Sequence, residues 1–300
     1  MKIQTRDFGS FQVRVADSIR QFPKWAVKKL GELLVRWIPA FPHEPTLAQN
    51  RFGVPSILVR VDCSFQWDDN NLLVYEIEER PAALGVSVTL SPGTRAAVEK
   101  WKSQFAGLGA VISPLRRLED DSLILPTYSR EEALSSGFPV IVRAEPEETE
   151  FHCLQAQSAS VITLKGNREY GVALGLWKIA PRPLPWNKAW VLKTTGSKAR
   201  AIMLWHPDPW TRKNQQGFSS KDQIVRFLQK HNDSGAYLQE LYEPEVLEVG
   251  TEDYYLMYRI VFGWNPVVRQ YQLLTGSWWA RPERIVHGAS NAIVGGVSFG

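Results

Sequence analysis

Acidic side chains recur on two neighbouring strand-like segments of this sequence. Residues 57–65, ILVRVDCSF, alternate as a β-strand does, a polar turn follows, and LLVYEIEERP continues as a second strand. A hairpin whose turn is centred in that polar stretch places Asp62 opposite Glu76 and Arg60 opposite Glu78. Three carboxylates then converge at one end of a two-stranded ribbon.

These carboxylates have two chemical interpretations. Like charges this close repel one another unless a positive group binds between them or a pKa rises. Hard oxygen ligands suit Mg²⁺ or Mn²⁺ rather than zinc, so one interpretation is a divalent metal site made by Asp62, Glu76 and Glu78. The other is a solvated strand face with an Arg60–Glu78 ion pair, and the spacing alone leaves both interpretations open.

A basic loop that contains glycine joins two further strand-like segments. The segment KAWVLK ends at Lys193, and the loop TTGSKAR, which holds Gly196, Lys198 and Arg200, leads into ARAIMLW. Free backbone N–H groups in such a loop, together with a lysine, can cover phosphate groups. The spacing matches neither a Walker A loop nor a dinucleotide fingerprint, so an ordinary hairpin remains the alternative.

Together, the acidic hairpin and the basic loop resemble the ATP-grasp superfamily, specifically circularly permuted members such as the glutathionylspermidine synthetases and eukaryotic-type glutathione synthetases. The metal-type segment VRVDCSFQWDDNNLLVYEIEERPAAL comes first and the nucleotide-type segment comes last. The resemblance covers about residues 55–90 and 186–296. It implies an α+β fold of ATP-grasp-like antiparallel sheets with helices, with a small α/β subdomain inserted.

The resemblance also implies a role for each matching residue around a bound ATP. It makes Asp62, Glu76 and Glu78 the ligands of Mg²⁺, with Mn²⁺ as a possible substitute. The other contacts that it implies are Lys193 to the adenine and α-phosphate side, Gly196, Ser197 and Lys198 over the phosphates, backbone groups of Gln239 and Leu241 to adenine, Glu240 to adenine or ribose, Arg259 and Arg281 against the triphosphate, and Asn291 nearby.

The chemistry implied by this resemblance is that of an ATP-dependent carboxylate–amine ligase. A substrate carboxylate would attack the γ-phosphoryl group to form an acylphosphate, and an amine would then displace phosphate. Positive groups such as Lys198, Arg259 and Arg281 would offset the charge that develops during transfer. Glu78 stands where many family members have Asn. That departure favours the alternative of a catalytically inactive ATP-grasp-like protein that binds a nucleotide or serves as a scaffold.

Several further elements must position these residues. Apolar residues at helical spacing predict a helix over 15–38, within an N-terminal helical segment that we expect to span 1–54. The hairpin then occupies 55–93. A mixed helix-and-strand rhythm, with a helix near 94–106 and strands near 109–113 and 160–165, predicts an inserted α/β subdomain over 94–170.

The nucleotide-binding part is expected over residues 171–300. Its clearest helix lies near 219–231, where Ser219 or Ser220 is the predicted N-cap. Strand-like segments surround it on both sides, among them AYLQELYEP and YYLMYRIVFGW.

Composition and charge narrow the class of partner. The chain has 35 Lys and Arg against 31 Asp and Glu, a net charge of +4 spread along its length, which is compatible with a small anionic ligand and does not indicate nucleic acid. No apolar run is long enough to span a membrane, and we expect a cytoplasmic protein. Cys63 and Cys153 lack metal-ligand spacing and make no disulfide framework. The sequence leaves the oligomeric state open.

Overall fold

The computed structural model describes most of the chain with gaps. The described residues are 1–7, 12–40, 57–66, 70–78, 84–105, 109–111, 123–124, 127–128, 131–132, 135, 140–142, 161–163, 176–178, 186–194, 201–209, 218, 220–230, 236–241, 244–283 and 291–300.

These residues form a mixed α+β structure with a large, mostly antiparallel sheet and a few helices. The strands, in chain order, are β1 (Ile3–Asp7), β2 (Gln12–Phe22), β3 (Leu58–Gln66), β4 (Asn71–Glu78), β5 (Gly109–Val111), β6 (Thr127–Tyr128), β7 (Val140–Val142), β8 (Val161–Thr163), β9 (Leu176–Lys178), β10 (Trp190–Thr194), β11 (Ala201–Trp205), β12 (Ala236–Glu240), β13 (Glu245–Val249), β14 (Glu252–Asn265), β15 (Gln270–Arg281) and β16 (Ile293–Phe299). The helices are α1 (Lys24–Ala40), α2 (Leu84–Leu90), α3 (Arg95–Lys102) and α4 (Lys221–Lys230).

The chain divides into two compact units. The first comprises residues 1–166, 257–280 and 287–300, and the second comprises 167–256 and 281–286. The large sheet has the strand order β1-β2-β16-β15-β14-β3-β4. In that sheet β16 pairs with β2 in parallel, whereas the β1–β2, β3–β4, β3–β14 and β15–β16 pairs are antiparallel.

The predicted N-terminal helix begins later than its sequence pattern suggests. Residues 12–22 form strand β2, and α1 begins at Lys24, directly after Pro23. The expectation of a helix from residue 15 is therefore wrong. β2 pairs with β1 on one side and with β16 on the other, and these tertiary hydrogen bonds override local propensity. Within α1 the predicted apolar stripe is confirmed, because Ala26, Leu30, Leu34 and Ile38 are all fully buried.

Helix α1 covers an aromatic face of the large sheet. Phe22 packs edge-on against Phe65 and Tyr258, with ring centroids 5.2 Å apart in both pairs. Trp25 of α1 contacts Phe65 in the same manner, at 6.2 Å. Further along the helix, Gly31 faces the Tyr271 carbonyl of β15, beside a groove of about 760 Å³ between α1 and the strands.

The opposite face of the sheet is covered by α2, α3 and the single 3₁₀ turn that joins them, Pro92–Thr94. The predicted helix near 94–106 is confirmed as α3, whereas α2 was not predicted. Glycines permit the close packing on this face, since a Cβ on Gly263 would overlap the Trp101 indole and one on Gly296 would overlap the Leu90 carbonyl.

The middle of the chain contributes a small separate sheet. Strands β5 to β8 pair in the order β6-β5-β7-β8, and all three pairings are parallel. The strands predicted near 109–113 and 160–165 are thus present as β5 and β8. Parallel pairing requires crossover connections, which agrees with the alternation of helix and strand signals in the sequence.

The second unit contains an antiparallel sheet of order β11-β10-β12-β9, with α4 beside it. Its core consists of Trp190, Leu192, Trp205, Ile224 and Leu238. The N-cap prediction is confirmed for Ser220, whose Oγ accepts a hydrogen bond from the Gln223 backbone N–H at 3.3 Å. Ser219 lies outside the described residues.

None of the helices in the described ranges is long and apolar enough to cross a membrane.

Candidate functional site

The acidic hairpin has the register that the sequence predicts. Arg60 of β3 lies opposite Glu78 of β4, and Asp62 lies opposite Glu76. On its other side β3 pairs with β14, where Arg259 lies opposite Asp62. Because paired residues of neighbouring strands point to the same face, two arginines and three carboxylates meet on the face that α2 and α3 cover.

A β-bulge limits this polar face. Strict alternation predicts that Val74 shares the face of Glu76, but the register shifts after the Asp62–Glu76 pair, and Val74 lies opposite Cys63. The extra residue is Tyr75, whose hydroxyl is 2.6 Å from Ser64 Oγ. Such a bulge re-aims side chains locally. The prediction for Val74 is therefore wrong, while the pairing of the acids stands.

Arg60 holds the cluster together. Its Nε donates to Asp62 Oδ1 at 2.7 Å, and its Nη2 donates to Asp62 Oδ2 at 3.2 Å, so the contact is bidentate. The same Nη2 lies 2.5 Å from Glu78 Oε2. The side chains of Arg60 and Asp62 are only 7% and 5% exposed. One guanidinium group thus bridges two carboxylates, as the ion-pair interpretation predicts for Arg60 and Glu78.

The charges in the cluster shift one another's pKa values. Burial alone would lower the pKa of Arg60, but the carboxylates of Asp62 and Glu78 raise it above its ordinary value. Burial raises the pKa of Glu78, and the like charges of Glu76 and Asp62 add to that effect, while Arg60 opposes it. Arg60 is therefore permanently charged, and Glu78 protonates more readily than an ordinary glutamate.

Arg259 is the second cation of the cluster and is held differently. Its guanidinium carbon lies 4.2 Å from the centre of the Trp279 ring, a cation–π contact. Its Nε is buried and has no hydrogen-bond partner among the described residues, and Asp62 Oδ2 is 3.6 Å away. Burial, followed by repulsion from Arg60, lowers the pKa of Arg259 to about 10, against the attraction of the carboxylates.

The donor set does not fit a divalent cation in this arrangement. Two of the three acids, Asp62 and Glu78, already bind Arg60. Over the ranges that the structure describes, no three His, Cys, Asp or Glu side chains are grouped so that they could hold a metal ion. The assignment of Asp62, Glu76 and Glu78 to Mg²⁺ therefore stays a prediction, and the observed contacts favour arginine as the counter-charge.

Of the residues predicted to contact the nucleotide, Lys193, Gln239, Glu240 and Leu241 lie in the second unit. Gly196, Ser197 and Lys198 are outside the described residues. Lys193 is a residue of β10, where it pairs with Ala201 and Tyr237, and its side chain is also outside the description.

The predicted adenine hinge makes contacts within its own unit. The Leu241 backbone N–H donates to the Ala189 carbonyl at 2.9 Å, so this N–H is already engaged. Gln239 belongs to β12, which is paired on both sides, by β10 and by β9. The Glu240 carboxylate accepts a hydrogen bond from Lys188 Nζ at 2.7 Å. Contacts from these residues to adenine remain predictions.

The two remaining predicted residues, Arg281 and Asn291, fall in different units of the chain. Arg281 belongs to the second unit, where its Nη2 lies 3.0 Å from Glu283 Oε2. Asn291 belongs to the first unit, at an exposed turn just before β16. The structure thus groups Arg259 with the hairpin acids.

The sequence pattern does not indicate the aromatic partner of Arg259, which stacks on Trp279. It also does not indicate Ser277, which accepts a hydrogen bond from Trp279 Nε1 at 2.9 Å. The available signal was the alternation of Thr275, Ser277 and Trp279, which share one face of a strand.

The comparisons with known proteins give a distant structural likeness. No family model and no curated protein matches the sequence. Among solved structures, a glutathione synthetase-like effector from Globodera pallida in its apo form is similar, with 11% identity and a TM-score of 0.48 over 93% of this chain and 88% of that chain.

Proposed function

We propose that this chain is a catalytically inactive ATP-grasp-like protein that binds a nucleotide through arginine without using magnesium. One observation carries the proposal: Arg60 lies between Asp62 and Glu78, at 2.7 Å and 2.5 Å, where a metal-using enzyme of this type would need both carboxylates for the cation. An arginine fixed in this way keeps a permanent positive charge between the two carboxylates and offsets part of their negative charge without a divalent ion.

Arg259 supplies the anion-binding part of the proposal. It is a buried cation, fixed against Trp279, whose Nε has no hydrogen bond within the described residues. Phosphate oxygens are the acceptors that guanidinium groups bind best, and a buried donor without an acceptor is costly. A phosphate group beside Arg259 would satisfy that donor.

The second candidate is the ATP-dependent carboxylate–amine ligase with Mg²⁺ or Mn²⁺. The hairpin register favours it, because Asp62 lies opposite Glu76 as the resemblance to the ATP-grasp superfamily implies. For the acids to bind a divalent ion, Arg60 would have to release Asp62 and Glu78. The two candidates therefore differ in whether magnesium competes with Arg60.

Calorimetric titration with ATP, with Mg²⁺ and with a chelator, separates these functions. We expect the same affinity under both conditions, a loss of about tenfold or more in Arg259→Met because a charged hydrogen bond is removed, and little change in Glu76→Ala. Binding that requires Mg²⁺, is lost in Glu76→Ala and is accompanied by ADP release with acid and amine pairs would establish the ligase instead. Failure of the folded protein to bind ATP would leave the scaffold role.

A further inference from the structure

Two buried serines form a hydrogen-bonded connection to the indole beneath Arg259. Trp279 Nε1 donates to Ser277 Oγ at 2.9 Å, and Ser277 Oγ is 2.8 Å from Ser87 Oγ of α2. All three side chains are buried, with Trp279 only 1% exposed. A buried indole N–H needs an acceptor, so the position of Ser277 Oγ restricts the orientation of the ring.

The ring in turn limits where Arg259 can lie. The guanidinium group rests 4.2 Å from the ring centre and makes no hydrogen bond through Nε within the described part of the chain, so the aromatic contact is a main determinant of its position. Three consecutive contacts therefore connect helix α2 to the proposed anion-binding group. Ser87 fixes Ser277, Ser277 fixes the indole, and the indole supports Arg259.

We propose that Ser277 and Ser87 are positioning residues for Arg259. The inference rests on the proposed function, because it takes Arg259 as the group that binds the phosphate of an anionic ligand. Neither serine touches the ligand. Their hydroxyl groups hold the Trp279 ring so that the Arg259 side chain is fixed before the ligand arrives, which lowers the entropy lost on binding.

The same strand offers a matched control. Thr275, two residues before Ser277, forms an equivalent buried hydroxyl pair with Thr94 at 2.8 Å. This pair also attaches the segment after α2 to β15, but no indole donates to it in the described residues. Removing a hydroxyl from either pair should cost similar stability, while only the serine pair should affect Arg259.

The test uses two measurements on the full chain. The first is the rate at which phenylglyoxal modifies Arg259 in the folded protein, followed by mass spectrometry, with exposed Arg36 as the internal reference. The second is ATP affinity by calorimetry. For Ser277→Ala and Ser87→Ala we expect modification about fivefold faster and ATP binding about fivefold weaker, the effect of one lost hydrogen bond. Thr275→Val should leave both within about twofold, and Ser277→Thr, which keeps the hydroxyl, should restore both.

Equal effects in Thr275→Val and Ser277→Ala on both measurements would overturn the positioning role, because a general loosening of the sheet would then explain them. In a third outcome, Arg259 is modified faster in the serine variants, but ATP affinity is unchanged in those variants and in Arg259→Lys. That outcome would support the positioning role and overturn the proposed function. If Ser277→Ala does not fold, Ser87→Ala, which leaves the strand unaltered, gives the same two measurements.

Discussion

The two faces of the large sheet are covered by helices but are stabilised by different physics. On the α1 face, Phe22, Phe65 and Tyr258 pack ring against ring. On the α2 and α3 face, Arg60 and Asp62 form a buried bidentate ion pair, surrounded by further charges and hydroxyl groups. Residues adjacent along one strand thus enter an apolar or a charged environment according to the face to which they point.

The two faces should also differ in how much they stabilise the fold. Aromatic packing is non-directional and stabilises in proportion to the area buried. A buried ion pair often stabilises no more than apolar residues of the same size would, because both charges lose their hydration. A cluster of five charged groups on a sheet face is therefore weak as a device for stability alone, and the function proposed above gives its two arginines a separate role.

The largest effect should come from the aromatic face. Phe22→Ala removes a fully buried ring that contacts three other aromatic residues, and we expect a loss of about 3–5 kcal/mol in the free energy of unfolding. Because no charge is involved, the loss should be the same at low and at high salt. Urea unfolding at both ionic strengths measures it, and a strong salt dependence would contradict the contrast between the faces.

Arg60→Met should produce a loss of about 3 kcal/mol, because Asp62 and Glu78 keep their buried charges without their partner. In addition, Mg²⁺ or Mn²⁺ should raise the midpoint of urea unfolding of this variant, because the carboxylates freed by the substitution can bind the ion. The control is Lys28→Met, which removes the exposed Lys28–Glu32 pair, 80% and 60% exposed, and should change stability by less than about 0.5 kcal/mol. A parent protein that is stabilised by Mg²⁺ as strongly as Arg60→Met would show that arginine does not exclude the ion.

Gly263→Ala tests how closely α3 packs on the charged face. A Cβ at this position would overlap the Trp101 indole, whose Nε1 donates to the Trp264 carbonyl at 3.0 Å. We expect a loss of about 1–3 kcal/mol from overpacking. Gly93→Ala is the control, because its Cβ would meet nothing within 4 Å, and it should change stability by less than about 0.5 kcal/mol. Similar thermal midpoints for both variants would mean that α3 can shift without cost.

The smallest effect is a pH dependence specific to the charged face. Because folding raises the pKa of Glu78, the folded protein holds this proton more tightly than the unfolded chain does. The resulting contribution to stability is present below the ordinary glutamate pKa and is lost as the pH rises through the raised value. Relative to Glu78→Gln, the parent should therefore lose stability between acidic and neutral pH. Urea midpoints measured across that range should diverge, and parallel curves would show that Glu78 titrates normally.

The pairing of residues across the hairpin was predictable from the sequence. Alternation and the position of the polar turn gave the pairs Asp62–Glu76 and Arg60–Glu78, since period-two geometry is local. The buried stripe of α1 and the Ser220 cap were predictable for the same reason. Alternation did not reveal the bulge at Tyr75, because its position depends on packing around one hydrogen-bonded pair.

The errors concern contacts between distant segments. The helical pattern from residue 15 is misleading because β2 pairs with β16, whose residues lie at the other end of the sequence. The contact of Arg259 with Trp279 depends on how separate strands are aligned, which no local pattern indicates. The Ser87–Ser277 contact joins residues 190 positions apart, and no local pattern indicates it.

The parallel pairing of β2 with β16 has a consequence for how the protein folds. It brings Arg14 beside Ile293 and lies one strand in from an edge of the large sheet, between β1 and β15. Each doubling of the intervening loop adds only about 0.6 kcal/mol of closure entropy, so the long separation costs little at equilibrium. The separation has a larger effect on the rate of folding, because such non-local pairing forms slowly. Until β16 pairs with them, β2 and β15 each expose an unpaired strand edge. The folding chain therefore depends on rapid insertion of β16 to avoid aggregation.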